Sequence, residues 1–281
     1  MSDILHWSYS ALSQYARCPL QFFFQRILGL PQRSTPSPLA LGSAIHEALA
    51  HYHQGIQDRR PVRPEAVLAS FRRAWEERKQ RELIVYHQGT EQGHVEQGVG
   101  LLEAYLKEPP PAGIVAVEQE LVVPIVTSQG EVLEPQLVAV LDLVTRDHND
   151  GLKVTDLKTS SRAYSDLDGK TSLQATCYIH AAQHAYEEAA VFEFTVMVKT
   201  RKPKVVRVAT ARMPTDSGRL GDLIQVIDRA VAAGIFFPVE SPLNCSSCCY
   251  RKSCRDWQSD QTLPPVEGRF PLRLAEDAYA D

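Results

Sequence analysis

The chain has 281 residues, enough to bury one sizeable core, or one core with a small appendage. Hydrophobic residues make up 44% and charged residues 23%, an ordinary globular balance. No apolar run approaches the roughly 20 residues that span a bilayer, which excludes a transmembrane helix. The formal net charge of −4 excludes a uniformly basic nucleic-acid binder but leaves local patches free to steer binding.

The opening segment, MSDILHWSYS, has no basic stretch leading into an apolar one, so no secretory leader and a cytoplasmic, thiol-reducing setting are expected. The first thirty residues read as helical. Ser8 or Ser10 caps a short helix through Tyr15, Cys18-Pro19 breaks it, and LQFFFQRIL forms a second. PQRSTPSP, 31–38, reads as a loop. From Leu41 a helix carries GSAIHEALAHYHQ, with Ala44, Ile45, Ala48 and Leu49 on its apolar face. Helices over 64–82 and 91–107 follow, and PPPAG stops the helical run.

The period then changes from helical to alternating. IVAVEQELVVPIV, QLVAVLDLVTRD and GLKVTDLKT read as strands, 170–188 as a helix, VFEFTVMVKT and KVVRVATARM as strands joined around Lys202-Pro203, and 216–234 as a helix. The order is that of an α/β core preceded by a helical section. Basic clusters lie at Arg72, Arg73, Arg78, Lys79 and Arg81, at Arg201, Lys202, Lys204 and Arg207, and at Arg251, Lys252 and Arg255. Each is also what a solvated face looks like.

Asp142 and Asp156 sit inside apolar strands, where a carboxylate is costly unless paired or bound to a cation. Alternation puts Asp156 and Lys158 on one face of their strand and Leu157 on the other. Hard carboxylate oxygens suit Mg²⁺ or Mn²⁺, and a lysine beside them can orient water. Taken alone, Asp-x-Lys also describes a plain ion pair at a strand edge. Glu118 and Glu120, on the preceding strand, are read as sharing a face, able to reach the same cluster, and as accessory residues only. His51 and His53 are read as surface residues, and Cys177 as a small buried hydrophobe.

Asp142, the Asp156-x-Lys158-Thr159 run, Gln174-x3-Tyr178 in LQATCYIHA and His46 in GSAIHEAL together resemble the motifs of RecB-like nucleases of the PD-(D/E)XK superfamily. The resemblance runs from Tyr9 to Cys254. It implies a restriction-endonuclease-like α/β core, a central mixed sheet flanked by helices. In that reading His46, Asp142, Asp156 and the carbonyl of Leu157 hold Mg²⁺ or Mn²⁺. Lys158 assists the attacking water, and Gln174 and Tyr178 contact DNA or support the site. One departure is Ala139, where the family often has glycine three residues before the aspartate.

The cysteines at 245, 248 and 254 keep the spacing Cys-x2-Cys-x5-Cys, one ligand short of a closed site. No second Cys-x2-Cys pair exists, and the last histidine is His184. The fourth ligand is Cys249, an oxygen donor such as Asp256, or a residue elsewhere. Cys249 adjoins Cys248 and fits poorly, whereas Cys18 precedes a proline at a helix break. The pattern is similar to that of AddB-type and CRISPR-adaptation exonucleases. By that resemblance Cys18, Cys245, Cys248 and Cys254 bind a [4Fe–4S] cluster, with zinc in the same four thiolates as the alternative.

The resulting expectation is a helical section over 1–112 carrying Cys18 and His46, a nuclease core over 113–237, a cysteine region over 238–260 packed back on the N-terminus, and a tail over 261–281. The expected activity is metal-dependent hydrolysis of DNA, as an exonuclease on single strands or ends, in repair, recombination or phage-defence processing of the CRISPR type. An endonuclease component of a larger complex, and a catalytically silent DNA-binding or scaffolding subunit, are the alternatives. Expected partners are DNA and a helicase or defence complex, with no membrane. The chain lacks a G-x4-G-K-[ST] loop, so any motor is another polypeptide.

Overall fold

The computed structural model describes residues 6–32, 34–60 and 62–257, so the expected tail over 261–281 and residues 258–260 of the cysteine region lie outside the described residues. In chain order the elements begin with β1 (His6–Ser8), α1 (Tyr9–Arg17), α2 (Pro19–Phe22), a π-helical turn at Phe23–Ile27, β2 (Thr35–Pro36), α3 (Ser37–Gln57), α4 (Pro64–Arg81), β3 (Ile84–Val85) and α5 (Glu91–Leu106). They continue with β4 (Ile114–Val126), β5 (Val132–Arg146), β6 (Leu152–Ser160), α6 (Asp166–Lys170), α7 (Leu173–Tyr186), β7 (Ala190–Val198), β8 (Lys204–Thr210), α8 (Pro214–Ala232), α9 (Pro242–Cys245) and α10 (Arg251–Asp256). Two compact units result. One joins Met1–Ser34, Val122–Val138 and Met213–Asp281, and the other joins Thr35–Leu121 and Ala139–Arg212.

In the first unit, the Ser8 hydroxyl accepts the Ala11 N–H at 3.2 Å and caps α1. The helix runs past the expected Tyr15 to Arg17 and stops at Cys18, whose extended backbone suits a residue before proline. The expected second helix is a single α-turn followed by the π-turn. Phe22, Phe23 and Phe24 are all buried, and a wider i to i+5 turn keeps successive aromatics toward the core. The segment at His6–Ser8, expected to be helical, is a strand instead. It pairs parallel with residues 136–138 of β5, and buried Trp7 stacks on Phe22 at 5.7 Å.

Helix α8 closes this unit by lying directly on the turn after β4. A Cβ at Gly221 would meet the Val126 carbonyl oxygen at 2.1 Å and Thr127 Cα at 2.8 Å, both backbone atoms that cannot rotate away. Gly221→Ala is therefore expected to destabilise the protein by about 3 kcal/mol. The check is a lowered midpoint in urea with an unchanged slope.

In the second unit, α3 starts one turn earlier than the expected Leu41. The Pro/Ser stretch that marks a loop also supplies Pro38, and proline is favoured in a first helical turn. Leu41, Ala44, Ile45, Ala48 and Leu49 pack with α4, α5, Leu157 and Met197 into one core. Over Leu143–Arg146 β5 pairs antiparallel with β6, β6 pairs parallel with β7, and β7 antiparallel with β8, while β4 borders β5. The parallel β6–β7 pair needs a crossover, which α6 and α7 provide. Gln174 on α7 meets Asp156 on one face of β6, and Leu157 meets the α3–α5 core on the other. The expected α/β architecture, a mixed sheet flanked by helices, is thus present.

Candidate active site

The carboxylates gather where the β5–β6 ladder ends. Backbone pairing runs from Arg146↔Leu152 to Leu143↔Thr155, and the Asp142 side chain then takes the next N–H. Its Oδ2 accepts from Leu157 N at 2.7 Å. Asp142 and Asp156 are 5% and 2% exposed, so each needs compensation in place of water. Gln174 Nε2 donates to Asp156 Oδ1 at 2.8 Å, and Lys158 Nζ lies 3.4 Å from Asp156 Oδ2. The same-face placement of Asp156 and Lys158 follows the alternation of β6.

His46, on the sheet-facing side of α3, puts Nδ1 3.4 Å from Asp142 Oδ2. Burial alone would lower its pKa, but the Asp142 carboxylate outweighs that and raises it to about 8. In return Asp142 is held below the usual carboxylate range, burial notwithstanding, by His46, the Leu157 N–H and Lys158. The coupling is that of an imidazolium–carboxylate pair that a divalent cation would replace by displacing the imidazole proton.

Glu118 completes the group: one ligand atom each from His46, Glu118 and Asp142 lies within 4.8 Å of the others. This agrees with the reading of Glu118 as an accessory residue, though not with the shared face given to Glu118 and Glu120. Glu118 has a φ of +48°, a left-handed conformation rare for glutamate, which interrupts the pleat and re-aims its side chain. Glu120 is exposed and stands outside the cluster. An imidazole with hard carboxylate oxygens at this separation is a donor set that fits a small divalent cation.

Gln174 and Tyr178 both lie on the buried side of α7, as their spacing suggests. Burial pushes the Tyr178 hydroxyl well above its ordinary pKa, so it stays protonated and able to donate. The start of α7 is fixed by Arg212, a residue without a sequence signature. Its guanidinium donates to the carbonyls of Gly169 and Ser172 at 2.9 and 2.8 Å and to Thr176 Oγ1 at 2.8 Å. Cys177 is fully buried, its thiol pushed up to about 12, in keeping with an inert packing role.

His53 corrects the sequence reading, which left it at the surface beside His51. It lies two turns after His46 on the same side of α3, is 0% exposed, and shares a 2.8 Å hydrogen bond with the Tyr105 hydroxyl. Burial lowers its pKa to about 4. The unfolded chain therefore takes up a proton near pH 6.5 that the folded chain refuses. Stability from this site is full above pH 6.5 and is lost as pH falls toward about 4. The loss amounts to about 3 kcal/mol. His53→Gln should lose correspondingly less stability than wild type between pH 7 and pH 4 in urea melts. Parallel losses would contradict the assignment.

The cysteines assemble in the first unit. Cys18, Cys245, Cys248 and Cys254 line one cavity with Phe24 and Tyr250, while Cys249 is exposed and outside that lining. Backbone and side-chain bonds tie the two ends of the chain together there. Leu20 N donates to Phe237 O at 3.1 Å, the Tyr250 hydroxyl to Leu30 O at 3.0 Å, and Asn244 Nδ2 to Arg17 O at 3.2 Å. Burial, and then the neighbouring sulfurs, raise the Cys248 and Cys254 thiols.

The sequence profile of the PD-(D/E)XK nuclease superfamily matches residues 6–255. No curated protein matches. Among solved structures, the chain is similar to a Eubacterium rectale protein named "Putative exonuclease", at 12% identity and a TM-score of 0.59 over 93% of this chain and 91% of that one. A protein named SSO0001 overlays more loosely, with 13% identity and a TM-score of 0.36 over 82% and 89% of the two chains. The profile spans sheet, site and cysteine region alike, and the chain belongs to the PD-(D/E)XK nuclease superfamily.

Proposed function

We propose that the chain is a divalent-metal-dependent deoxyribonuclease, working as an exonuclease on single-stranded DNA or DNA ends. The observation that carries this reading is the group of half-buried His46 and Glu118 with buried Asp142, beside Asp156 and Lys158 on the adjoining strand. His46, Asp142, Asp156 and the carbonyl of Leu157 would hold Mg²⁺ or Mn²⁺, with Glu118 as a further carboxylate. The bound cation supplies charge stabilisation at the attacking and leaving oxygens of an in-line phosphoryl displacement. Lys158 orients the water that forms the new P–O bond. Gln174 holds the Asp156 carboxylate in place, and Tyr178 closes the site behind it. The exonuclease part of the reading draws on the name of the E. rectale relative.

The second part of the proposal is a [4Fe–4S] cluster on Cys18, Cys245, Cys248 and Cys254, fastening the cysteine region to the N-terminal segment. Four thiolates facing one cavity repel one another and favour a cationic occupant. The choice of an iron–sulfur cluster over zinc in the same four thiolates rests on the resemblance of Cys18 with the Cys-x2-Cys-x5-Cys run to iron–sulfur nucleases. A helicase or a defence complex is the proposed partner.

The test is cleavage of end-labelled single- and double-stranded DNA by anaerobically purified protein, with Mg²⁺ or Mn²⁺ and with EDTA. Cleavage that needs the cation supports the proposal. Binding without cleavage under every cation would instead favour the silent DNA-binding subunit.

A further inference from the structure

We propose that Arg162 and Tyr164 form a stacking subsite for one unpaired nucleobase, on the strand whose phosphodiester is held at Asp142, Asp156 and Lys158; this rests on the nuclease reading above. Strand β6 carries Asp156 and Lys158 and ends at Ser160, and the chain returns to the site at Gln174. Between them, the loop before α6 holds an aromatic ring and a guanidinium. Tyr164 meets Phe194 edge-on, with centroids 5.3 Å apart, and Phe194 is the register partner of Asp156 on β7. In a parallel pair, register partners point to the same face, so Phe194 stands one strand spacing from Asp156 and Tyr164 is joined to the site through the Phe194 ring.

Arg162 lies over that ring, its guanidinium carbon 5.4 Å from the centroid. A fork of hydrogen bonds to Asp168, at 2.9 and 2.6 Å, fixes the guanidinium in plane. Asp168 is itself fixed, because it also accepts from Ser165 N and Ser165 Oγ at 2.7 and 2.8 Å in the capping box of α6. The cap needs only Ser165 and Asp168. Arg162 makes none of the cap's own hydrogen bonds, and its side chain remains 63% exposed. An exposed ion pair contributes little to stability, while holding a long side chain still costs rotamer entropy.

That arrangement suits a ligand with a flat π-face and a negative backbone. Bases stack on aromatic rings and guanidinium planes with little regard to sequence. A base inside a duplex is already stacked and paired, so only an unpaired one can use the platform. The subsite would give the nuclease a preference for single-stranded DNA near the scissile bond.

The experiment measures the Kd of 5′-fluorescein-labelled 12-mer oligo(dT) and of a 12-bp duplex for the full-length protein in Ca²⁺, together with single-turnover cleavage in Mg²⁺ or Mn²⁺. Tyr164→Ala should raise the single-strand Kd about 5- to 100-fold and leave the duplex Kd within about two-fold. Tyr164→Phe should retain wild-type affinity, and Arg162→Ala should lose part of it. An abasic residue moved along the strand should weaken wild-type binding at one position only, and Tyr164→Ala should be indifferent to that position. Unchanged single-strand binding, equal losses on both DNAs, or an abasic penalty that persists in Tyr164→Ala would overturn the subsite while wild type still cuts. A wild type that neither binds nor cuts DNA would overturn both the subsite and the nuclease reading.

Discussion

Lys158→Ala is expected to slow DNA hydrolysis by about 10²- to 10⁴-fold while leaving metal binding in place. The lysine lies on the same face of β6 as Asp156, with its Nζ 3.4 Å from Asp156 Oδ2. Asp142→Ala should be at least as damaging for a different reason. It removes a buried oxygen that holds the Leu157 N–H and the His46 ring as well as the cation. Calorimetry with Mn²⁺ separates the two: Lys158→Ala should titrate like wild type, and Asp142→Ala should not. If both variants cut DNA at the wild-type rate, the nuclease centre lies elsewhere.

Cys18→Ser is expected to abolish iron binding and to destabilise the first unit by about 5 kcal/mol. That is the scale of a cross-link closing a loop longer than a hundred residues. Occupancy that occurs only in the folded state adds directly to stability, so chelation should lower the melting temperature of wild type toward that of the variant. Cys249→Ser should keep both iron and stability, because Cys249 is outside the cavity. The measurements are iron content, the visible absorbance of anaerobic protein, and thermal melts. A colourless protein carrying one zinc would remove the iron–sulfur assignment and leave the fastening role of the four cysteines standing.

Much of the second unit could be read from the sequence because its signals are local and periodic. Alternation along GLKVTDLKT places Asp156 and Lys158 together, and four-residue spacing aligns Gln174 with Tyr178. The misses have physical causes of other kinds. Glu118 joins the cluster it was read as able to reach, but Glu120, read as its same-face companion, does not, because Glu118 is left-handed and a pleat-based reading counts it as regular. His53 is buried by α5 through the hydroxyl of Tyr105, a partner 52 residues away with no local trace. Arg212 organises α7 through backbone carbonyls, which any sequence could supply. The strand at His6–Ser8 and the π-turn likewise depend on packing between segments remote in the chain, not on propensity.

The first unit has a consequence for how the protein is made. Arg17 and Asn244, whose hydrogen bond helps close it, are 227 residues apart in sequence. At a synthesis rate of about 5–20 residues per second, the head of the nascent chain waits about 10 to 45 s for that partner. During that interval Trp7, Phe22, Phe23 and Phe24 are deprived of Phe236 and Tyr250, against which this aromatic group later packs. The two long segments of the second unit emerge earlier and can fold without waiting. Unshielded aromatics at a ribosome-tethered N-terminus invite chaperone capture or aggregation. Recovery of intact protein should therefore depend on growth temperature during translation.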